Sequence, residues 1–183
     1  MKNTKLLQFL NKNRDVFAQN IFELGRAKGY EHKIQLKPDA KPFKTKPYRC
    51  SPKQKEIINQ QLDEWLQAGI IQPSESDYSS PIVLVAKKSD PDTLRDGLNK
   101  DNWRCCIDLR NLNKQVVLQN QNLPIISDLI DSIGPGKAKY QTTLDAMSGF
   151  LQIPLSQDSR KYTAFSTNNG AMSEFSVLPF DLV

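Results

Sequence analysis

One aspartate stands where it could take part in catalysis. Asp145 follows the segment YQTTL, which is typical of a strand, and precedes AMSG, a turn of small residues. A carboxylate at a strand end, beside residues that let a ligand approach the backbone closely, can hold a divalent cation and a phosphate. The same position also suits an aspartate that caps the N-terminus of a helix. Taken alone, the pattern favours the helix cap.

Cations at the ends of two predicted strands form a second candidate site. Lys87 and Lys88 end one apolar run, and Arg104 stands near the start of the next. An antiparallel hairpin would bring these cations together, and a polyphosphate is a suitable ligand for such a group. Charged residues are also common on solvated edge strands, and for these residues in isolation that alternative is favoured.

Basic residues are concentrated near the start of the chain. The net charge is +5, but residues 1–60 carry 14 Lys and Arg against 5 Asp and Glu, whereas residues 61–183 carry 11 against 15. The excess is greatest in residues 37–55, here called the basic strip, where Asp39 is the one anion among seven cations: Lys37, Lys41, Lys44, Lys46, Arg49, Lys53 and Lys55. Such a strip suits a nucleic-acid backbone, since each neutralised phosphate releases counterions. A solvated face that keeps the chain soluble fits the charge pattern equally well.

Composition and motifs exclude several classes of site. His32 is the one histidine, and we interpret it as a structural surface residue rather than a zinc ligand or a catalytic base. Three cysteines are too few and too unevenly spaced for a disulfide framework. The sequence has no glycine-rich phosphate loop, no Gly-x-Ser-x-Gly and no HExxH. No apolar run approaches the roughly 20 residues that cross a bilayer, so we expect an intracellular protein, cytoplasmic or particle-associated, without membrane contact.

The surrounding pattern predicts a fold of the α+β class, with helices and strands in irregular alternation. The clearest helix has Ser51 as its N-cap, Pro52 in the first position, Gln54 completing a capping box, and Gly69 at its end. An earlier helical pattern occupies part of residues 1–30, and the prolines of residues 31–50 predict an extended segment. Further elements are a helix at 124–133 and strands at 81–87, 103–109, 138–144, 150–155, 163–167 and 174–178.

Five blocks in a fixed order carry a resemblance to a known family. They read HKIQLKPDAKPFKTKPYRCSPKQKEIINQQLDEWLQAGIIQPSESDYSSPIVLVAKK, WRCCIDLRNLNKQ, LPIISDLIDSIG, KYQTTLDAMSGFLQIPL and KYTAFSTNNGAMSEFSVLPF. In this order and spacing they resemble the reverse transcriptase of gypsy-type LTR retrotransposons and, more distantly, of retroviruses. The segment before residue 32 resembles the connector that follows the protease in such polyproteins. We therefore expect residues 1–30 to be a polyprotein linker and residues 31–183 to be an incomplete reverse transcriptase domain.

The resemblance implies the fingers and partial palm of a right-hand polymerase, with fingers in residues 52–134 and the palm beginning in residues 138–178. The implied activity adds deoxynucleoside triphosphates to a primer on an RNA or DNA template, with two Mg²⁺ ions held by carboxylates. The family's Tyr/Phe-x-Asp-Asp block, its thumb and the rest of the Pol polyprotein do not occur in these 183 residues. We therefore expect a polymerase fragment that is inactive alone. The alternative is a decayed, non-catalytic remnant that binds nucleic acid weakly.

Individual residues acquire roles from the resemblance. Asp145 matches the first catalytic aspartate, and the carbonyl of Ala146 matches one that contacts metal. The amides of Ser148 and Gly149 would face the triphosphate, and Phe150 matches the aromatic residue that stacks under the sugar and rejects a 2′ hydroxyl.

The resemblance also assigns roles in the fingers. Lys87 and Arg104 match the pair that grips the triphosphate, with Lys88 as the alternative in a shifted register. Arg110 matches a residue near the template. We also expect four cations of the basic strip to bind nucleic acid: Lys41, Lys44, Lys46 and Arg49. Two departures stand out. Residues 89–102 are longer than the usual hairpin tip, and Asp181 replaces the glycine of the family's Pro-Phe-Gly-Leu, which adds negative charge near phosphates.

Overall fold

The computed structural model describes residues 4–87, 102–118, 124–133, 142–167 and 169–182. Five α-helices lie in these ranges: α1 (Thr4–Lys12), α2 (Pro52–Gln67), α3 (Arg110–Asn113), α4 (Ile126–Ile133) and α5 (Gln157–Arg160). The strands are β1 (Ile71–Pro73), β2 (Ile82–Ala86), β3 (Trp103–Ile107), β4 (Phe165–Ser166) and β5 (Met172–Phe175). None of the described helices is long and apolar enough to cross a membrane.

Helix α2 begins with the predicted capping box. The Ser51 hydroxyl accepts a hydrogen bond from the Gln54 amide at 3.3 Å, and the Gln54 side chain accepts one from the Ser51 amide at 2.8 Å. Ile58 and Leu62 are buried, whereas Leu66 is 50% exposed. The helix ends before Gly69, whose φ of +65° is a conformation that glycine adopts without steric cost.

Two small antiparallel sheets flank this helix. Strands β1, β5 and β4 form one sheet in that order, and β2 pairs with β3 in the other. Trp65 of α2 packs on Phe175 of β5, with ring centroids 5.6 Å apart. Residues from both sheets and α2 share one hydrophobic core, which includes Ile58, Ile82, Ile107, Leu112, Leu155, Phe165 and Val177. The predicted hairpin of β2 and β3 is therefore present, although most of the loop between the two strands lies outside the described residues.

The extended segment at residues 31–50 is also present, and single bridges tie it to the rest of the fold. His32 pairs with Leu155, Leu36 with Val116, and Lys44 with Ser79. No long helix interrupts this segment, in agreement with its prolines.

The boundaries of three predicted elements are shifted. The helical pattern of the first 30 residues ends at Lys12, because the Asn13 side chain donates to the Phe9 carbonyl and a separate 3₁₀ turn follows. Strand β4 begins two residues later than predicted, since Lys161–Thr163 forms a 3₁₀ turn. Strand β5 begins two residues earlier than predicted, because the Thr167 amide closes a tight turn onto the Ala171 carbonyl.

The predicted strand at residues 150–155 is a 3₁₀ helix, Gly149–Gln152, followed by single bridges at Pro154 and Leu155. Local hydrogen bonds explain the difference, since the Leu151 and Ile153 amides donate to carbonyls three residues earlier. The described part of the predicted strand at 138–144 is irregular as well. Leu144 is 79% exposed, and no described strand pairs with residues 142–144. A strand needs such a neighbour to satisfy its backbone.

Candidate nucleotide and nucleic-acid site

The register of the β2–β3 hairpin decides where its cations lie. Val85 is opposite Arg104, and the Lys87 amide donates to the Asn102 carbonyl at 2.8 Å. Side chains directly opposite each other share a face, and alternate residues of a strand return to it. Lys87 and Arg104 therefore lie on one face as diagonal neighbours, and both are exposed. Lys88, the alternative to Lys87, lies outside the described residues.

The two faces of the hairpin differ in character. Ile82, Leu84 and Cys105 point into the hydrophobic core or pack against it. The opposite face carries Val83 and Cys106 at its base and the two cations further along. Because the core holds one face, the other is fixed toward solvent, where a charged ligand could reach it.

A cavity of about 300 Å³ lies at the base of the cationic face. Val83 and Cys106 form one wall, and the remaining lining comes from the turn after β3 and from the end of the described chain: Ile107, Asp108, Leu109, Arg110, Asn113 and Asp181. Burial, with a smaller contribution from the nearby Asp181 carboxylate, raises the pKa of the Cys106 thiol. The cavity thus combines an apolar floor with a polar rim.

Arg110 and Asp108 form an ion pair at this rim. Arg110 reaches the two carboxylate oxygens with Nε and Nη2 at 2.8 and 2.7 Å, and the Tyr48 hydroxyl donates to the same carboxylate at 3.0 Å. Hydrogen bonds from Arg110 hold the pKa of Asp108 well below its usual range, and the Asp108 carboxylate raises the pKa of Arg110. The charge of Arg110 is therefore largely compensated within the protein.

The basic strip runs beside the turn that carries Arg110. Lys37 Nζ donates to the Lys114 carbonyl at 2.7 Å, and the Lys41 amide donates to Gln115 at 2.7 Å. Further along the strip, Thr45 accepts a hydrogen bond from Asn111 at 3.2 Å. The strip thus contacts residues 111–115, just after Arg110, and the four strip cations predicted to bind nucleic acid are exposed: Lys41, Lys44, Lys46 and Arg49.

Asp145 and Ala146 lie in the irregular, exposed segment that precedes the 3₁₀ helix. Ser148 enters that helix with φ +47°, a left-handed conformation. A Cβ added to Gly149 would lie 3.4 Å from the Ala146 Cβ, which is van der Waals contact. Phe150 is 53% exposed and meets Phe180 edge-on, with ring centroids 5.6 Å apart.

The contact between Phe150 and Phe180 links the Asp145 segment to the cavity. Asp181 follows Phe180 and lines the cavity, and its carbonyl accepts a hydrogen bond from the Asn113 side chain at 2.7 Å. Its φ of +65° is a left-handed conformation that favours the glycine of the family pattern. Phe150 is therefore linked through Phe180 and Asp181 to the cavity at the base of the hairpin.

The leading segment also supports the turn that carries Phe150. Arg26 Nη1 donates to the Leu151 carbonyl at 2.5 Å, and Nη2 donates to the Gly69 carbonyl at 3.2 Å. The Ala27 amide donates to the Gln152 carbonyl at 2.7 Å. These donors form hydrogen bonds with carbonyl groups that have no partner within a helix because they lie at or beyond its end. Desolvation of the guanidinium lowers the pKa of Arg26.

Within the described ranges, no three His, Cys, Asp or Glu side chains are grouped so that they could hold a metal ion. Asp145 is one carboxylate, and two-metal sites require several. The described residues therefore do not form a complete divalent-metal site.

A family model described as "Reverse transcriptase (RNA-dependent DNA polymerase)" matches residues 85–180. The chain belongs to this family. The match includes Arg104, Arg110, Asp145 and Phe150, and it confirms the resemblance drawn from the five sequence blocks. Reverse transcriptases as a family use divalent metal ions.

Curated relatives place the chain among Pol polyproteins of retrotransposons. It is 40% identical over 168 residues to the retrovirus-related Pol polyprotein from transposon 412 of Drosophila melanogaster, a match that covers 92% of this chain and 13% of the relative. It is 36% identical over 144 residues to that from transposon gypsy of the same organism, covering 79% and 13%. The enzymatic polyprotein of cauliflower mosaic virus (strain NY8153) is 32% identical over 91% of this chain and 23% of its own length. The chain thus corresponds to a small part of each relative.

Solved reverse transcriptases share the fold. The prototype foamy virus protease–reverse transcriptase has a TM-score of 0.78 and 26% identity, covering 100% of this chain and 22% of that one. A foamy viral protease–reverse transcriptase in complex with an RNA/DNA hybrid has a TM-score of 0.75 and 27% identity, covering 98% and 22%. The predicted fold class, an α+β chain with fingers and part of a palm, is confirmed.

Sequence reasoning missed several residues that shape this surface. Tyr48 and Asp108 orient Arg110, Phe180 supports Phe150, and Arg26 holds the turn in place. The sequence offered a signal for two of them: Tyr48 is an aromatic residue within the basic strip, and Phe180 directly precedes Asp181, which departs from the family pattern. Nothing local in the sequence distinguishes Arg26, because its partners are 42 to 125 residues away.

Proposed function

We propose that this chain binds a nucleoside triphosphate and a template–primer as part of an RNA-directed DNA polymerase of a Pol polyprotein. The observation that carries the proposal is the shared, solvent-facing side of the hairpin with Lys87 and Arg104. Two cations held by a rigid ladder can make charge-assisted hydrogen bonds to several phosphate oxygens at once. Family membership supplies the class of ligand.

The turn at residues 148–150 would complete the nucleotide site. The first amides of a helix have no partner within it, so the amides of Ser148 and Gly149 are suited to a phosphate. Phe150 is exposed beside them and is supported from one side by Phe180. A ring held in this way can pack against the sugar and leave no space for a 2′ hydroxyl.

Asp145 and the carbonyl of Ala146 would contribute oxygen ligands to Mg²⁺. This ion takes near-octahedral oxygen coordination and usually shares its ligands with substrate phosphates. When bound, it would activate the primer hydroxyl and stabilise the leaving pyrophosphate. The exposed position of Asp145 beside the turn leaves its carboxylate accessible to such an ion.

Nucleic acid would lie along the basic strip and past Arg110. Two solved relatives support this choice, since foamy viral protease–reverse transcriptase has been solved in complex with double-stranded DNA and with an RNA/DNA hybrid. Arg110 is already paired with Asp108, so the exposed strip cations would provide most of the phosphate contacts. Binding of this kind depends little on sequence.

We also propose that residues 1–30 are the connector to the preceding part of the polyprotein and that residues 31–183 belong to the reverse transcriptase domain. Helix α1 has no buried residue, as befits a linker. The junction is not abrupt, because Arg26 and Ala27 are hydrogen-bonded to the Gly149–Gln152 turn. The last residues of the connector would therefore serve as a support for the domain.

Displacement of a fluorescent deoxynucleoside triphosphate from this chain tests the nucleotide site. Replacing Lys87 and Arg104 together by Gln should weaken binding at least tenfold, since hydrogen bonds to charged groups contribute about 1.5–3 kcal/mol each. A matched control replaces two exposed lysines of the leading segment, Lys12 and Lys28, by Gln and should bind like the wild type. Equal affinities for the double variant and the control would contradict the proposal.

A further inference from the structure

The Arg26 side chain joins the ends of two helices. Its Nη1 donates to the Leu151 carbonyl at 2.5 Å, within the 3₁₀ helix Gly149–Gln152, and its Nη2 donates to the Gly69 carbonyl at 3.2 Å, just after α2. A longer contact of 3.5 Å joins Nη2 to the carbonyl of Ala68, the C-cap of α2. Carbonyls at helix ends lack a partner within the helix and attract a cation. One planar guanidinium therefore serves both ends.

The segment that carries Arg26 is itself packed against the rest of the fold. Ile21 and Leu24, just before it, pack on the hydrophobic core, and the Ala27 amide, just after it, donates to the Gln152 carbonyl at 2.7 Å. These anchors limit the movement of the backbone at Arg26, so its side chain needs little further ordering to hold both partners. Removal of water from the guanidinium, which lowers the pKa of Arg26, also strengthens its hydrogen bonds.

The carbonyl that Arg26 holds lies next to the ring proposed to face the nucleotide sugar. Leu151 directly follows Phe150 and is 3% exposed, so the core fixes its side chain while Arg26 fixes its carbonyl. Phe150 is 53% exposed, and Phe180 meets its ring edge-on from one side. The direction of the Phe150 ring therefore depends strongly on the backbone of its own turn.

We propose that Arg26 is a positioning residue for Phe150, which it holds in the place relative to α2 where the ring excludes a nucleotide with a 2′ hydroxyl. The inference rests on the proposed nucleotide site and adds a determinant of sugar selectivity within residues 1–30, the proposed connector. Steric selection is sensitive to position, since a misplacement of about 1 Å can change the effect of a positioned group many-fold. Binding of the triphosphate depends instead on Lys87 and Arg104.

Displacement of a fluorescent deoxynucleoside triphosphate by unlabelled dATP and by unlabelled ATP measures this selectivity. The wild type should prefer dATP by roughly tenfold or more, the scale on which a site rejects an added hydroxyl. Arg26→Gln should reduce the preference by roughly threefold or more, mainly because ATP binds more tightly. Arg26→Lys should show the same loss, because an ammonium keeps the charge but lacks the planar fork that reaches two carbonyls.

Arg160→Gln is the matched control. Arg160 also donates to a carbonyl, that of Leu155 at 3.3 Å, and to the Gln72 side chain at 3.2 Å, both outside the Gly149–Gln152 turn. This variant should keep the wild-type preference even where it lowers stability. Phe150→Ala should lose the preference, and adding Arg26→Gln to it should change the preference no further, because Arg26 acts through the ring.

Three results would refute these assignments, each in a different way. A preference that Arg26→Gln retains, or an equal loss in Arg160→Gln, would overturn the role of Arg26 and leave the nucleotide site intact. A wild type that binds dATP and ATP equally would overturn the roles of both Arg26 and Phe150. A wild type that binds neither would overturn the proposed nucleotide site as well. If Arg26→Gln does not fold, Arg26→Lys decides the matter, and a wild-type preference in that variant would overturn the proposal.

Discussion

Four cations of the basic strip give the most direct test of how this chain holds a nucleic acid. These cations are Lys41, Lys44, Lys46 and Arg49. We predict that replacing all four by Gln weakens the binding of nucleic acids of every sequence to the same extent and makes that binding less dependent on salt. All four are exposed. Among the described residues, Lys44 alone of the four approaches a carboxylate, with Nζ 4.0 Å from Asp77.

The magnitude follows from counterion release. Because Lys44 is partly compensated, the four cations would engage three to four phosphates. At about 0.7 per contact on a single strand, they contribute a slope of roughly −2 to −3 in log K against log salt. Raising the salt concentration from about 50 to about 200 mM would then weaken wild-type binding by roughly 20- to 50-fold through these contacts. The quadruple variant should lose that part of the dependence.

Titration of a labelled primer–template at several salt concentrations measures both quantities. The control replaces four exposed lysines outside the strip by Gln and lowers the net charge of +5 by the same four units; it uses Lys5, Lys12, Lys28 and Lys33. If the control loses as much affinity and slope as the strip variant, binding responds to net charge and the strip has no special role. If neither variant changes the slope, the strip is a solvated face.

Three further predictions concern stability and charge. Ser51→Ala should lower the free energy of unfolding by about 1 kcal/mol in urea titrations, because it removes half of the capping box. The pKa of Asp108 is lower in the folded chain than its unfolded value of about 3.9, so the Asp108 carboxylate stabilises the fold above that pH and loses this effect as the pH falls below it. Asp108→Asn should therefore make the free energy of unfolding depend less on pH in the acid range. Asp181→Gly should tighten oligonucleotide binding by roughly two- to fivefold, the scale of a single surface charge, without loss of stability at this left-handed residue; weaker binding would count against it.

Elements with complete local signals were predictable from the sequence. Helix α2 has its N-cap, proline, capping box and terminal glycine within 19 residues, and all of them form as predicted. The β2–β3 hairpin follows from two apolar runs, and its register places Lys87 and Arg104 on one face. In both cases the information lies in the residues that make the contact, so composition and spacing are sufficient.

The segment around Asp145 was less predictable because its structure depends on distant partners. Apolar content indicated strands on both sides of the turn, yet residues 142–144 have no described partner strand, and residues 149–152 close into a 3₁₀ helix. That helix is held by Arg26 and Ala27, more than 100 residues earlier. The hydrophobic pattern of this segment contains no information about contacts with such distant residues, so a strand assignment based on that pattern is wrong there.

The same dependence on distant contacts links the turn of Phe150 to the base of the β2–β3 hairpin. Phe150 meets Phe180, the next residue lines the cavity, and the far wall of the cavity is the base of the hairpin that carries Arg104. Each link joins parts of the chain that are dozens of residues apart, and the buried Leu151 and Ile107 hold the two ends in one core. A core substitution such as Ile107→Ala should therefore weaken nucleotide binding as well as stability, since the cationic face keeps its direction only while the opposite face of the hairpin stays buried.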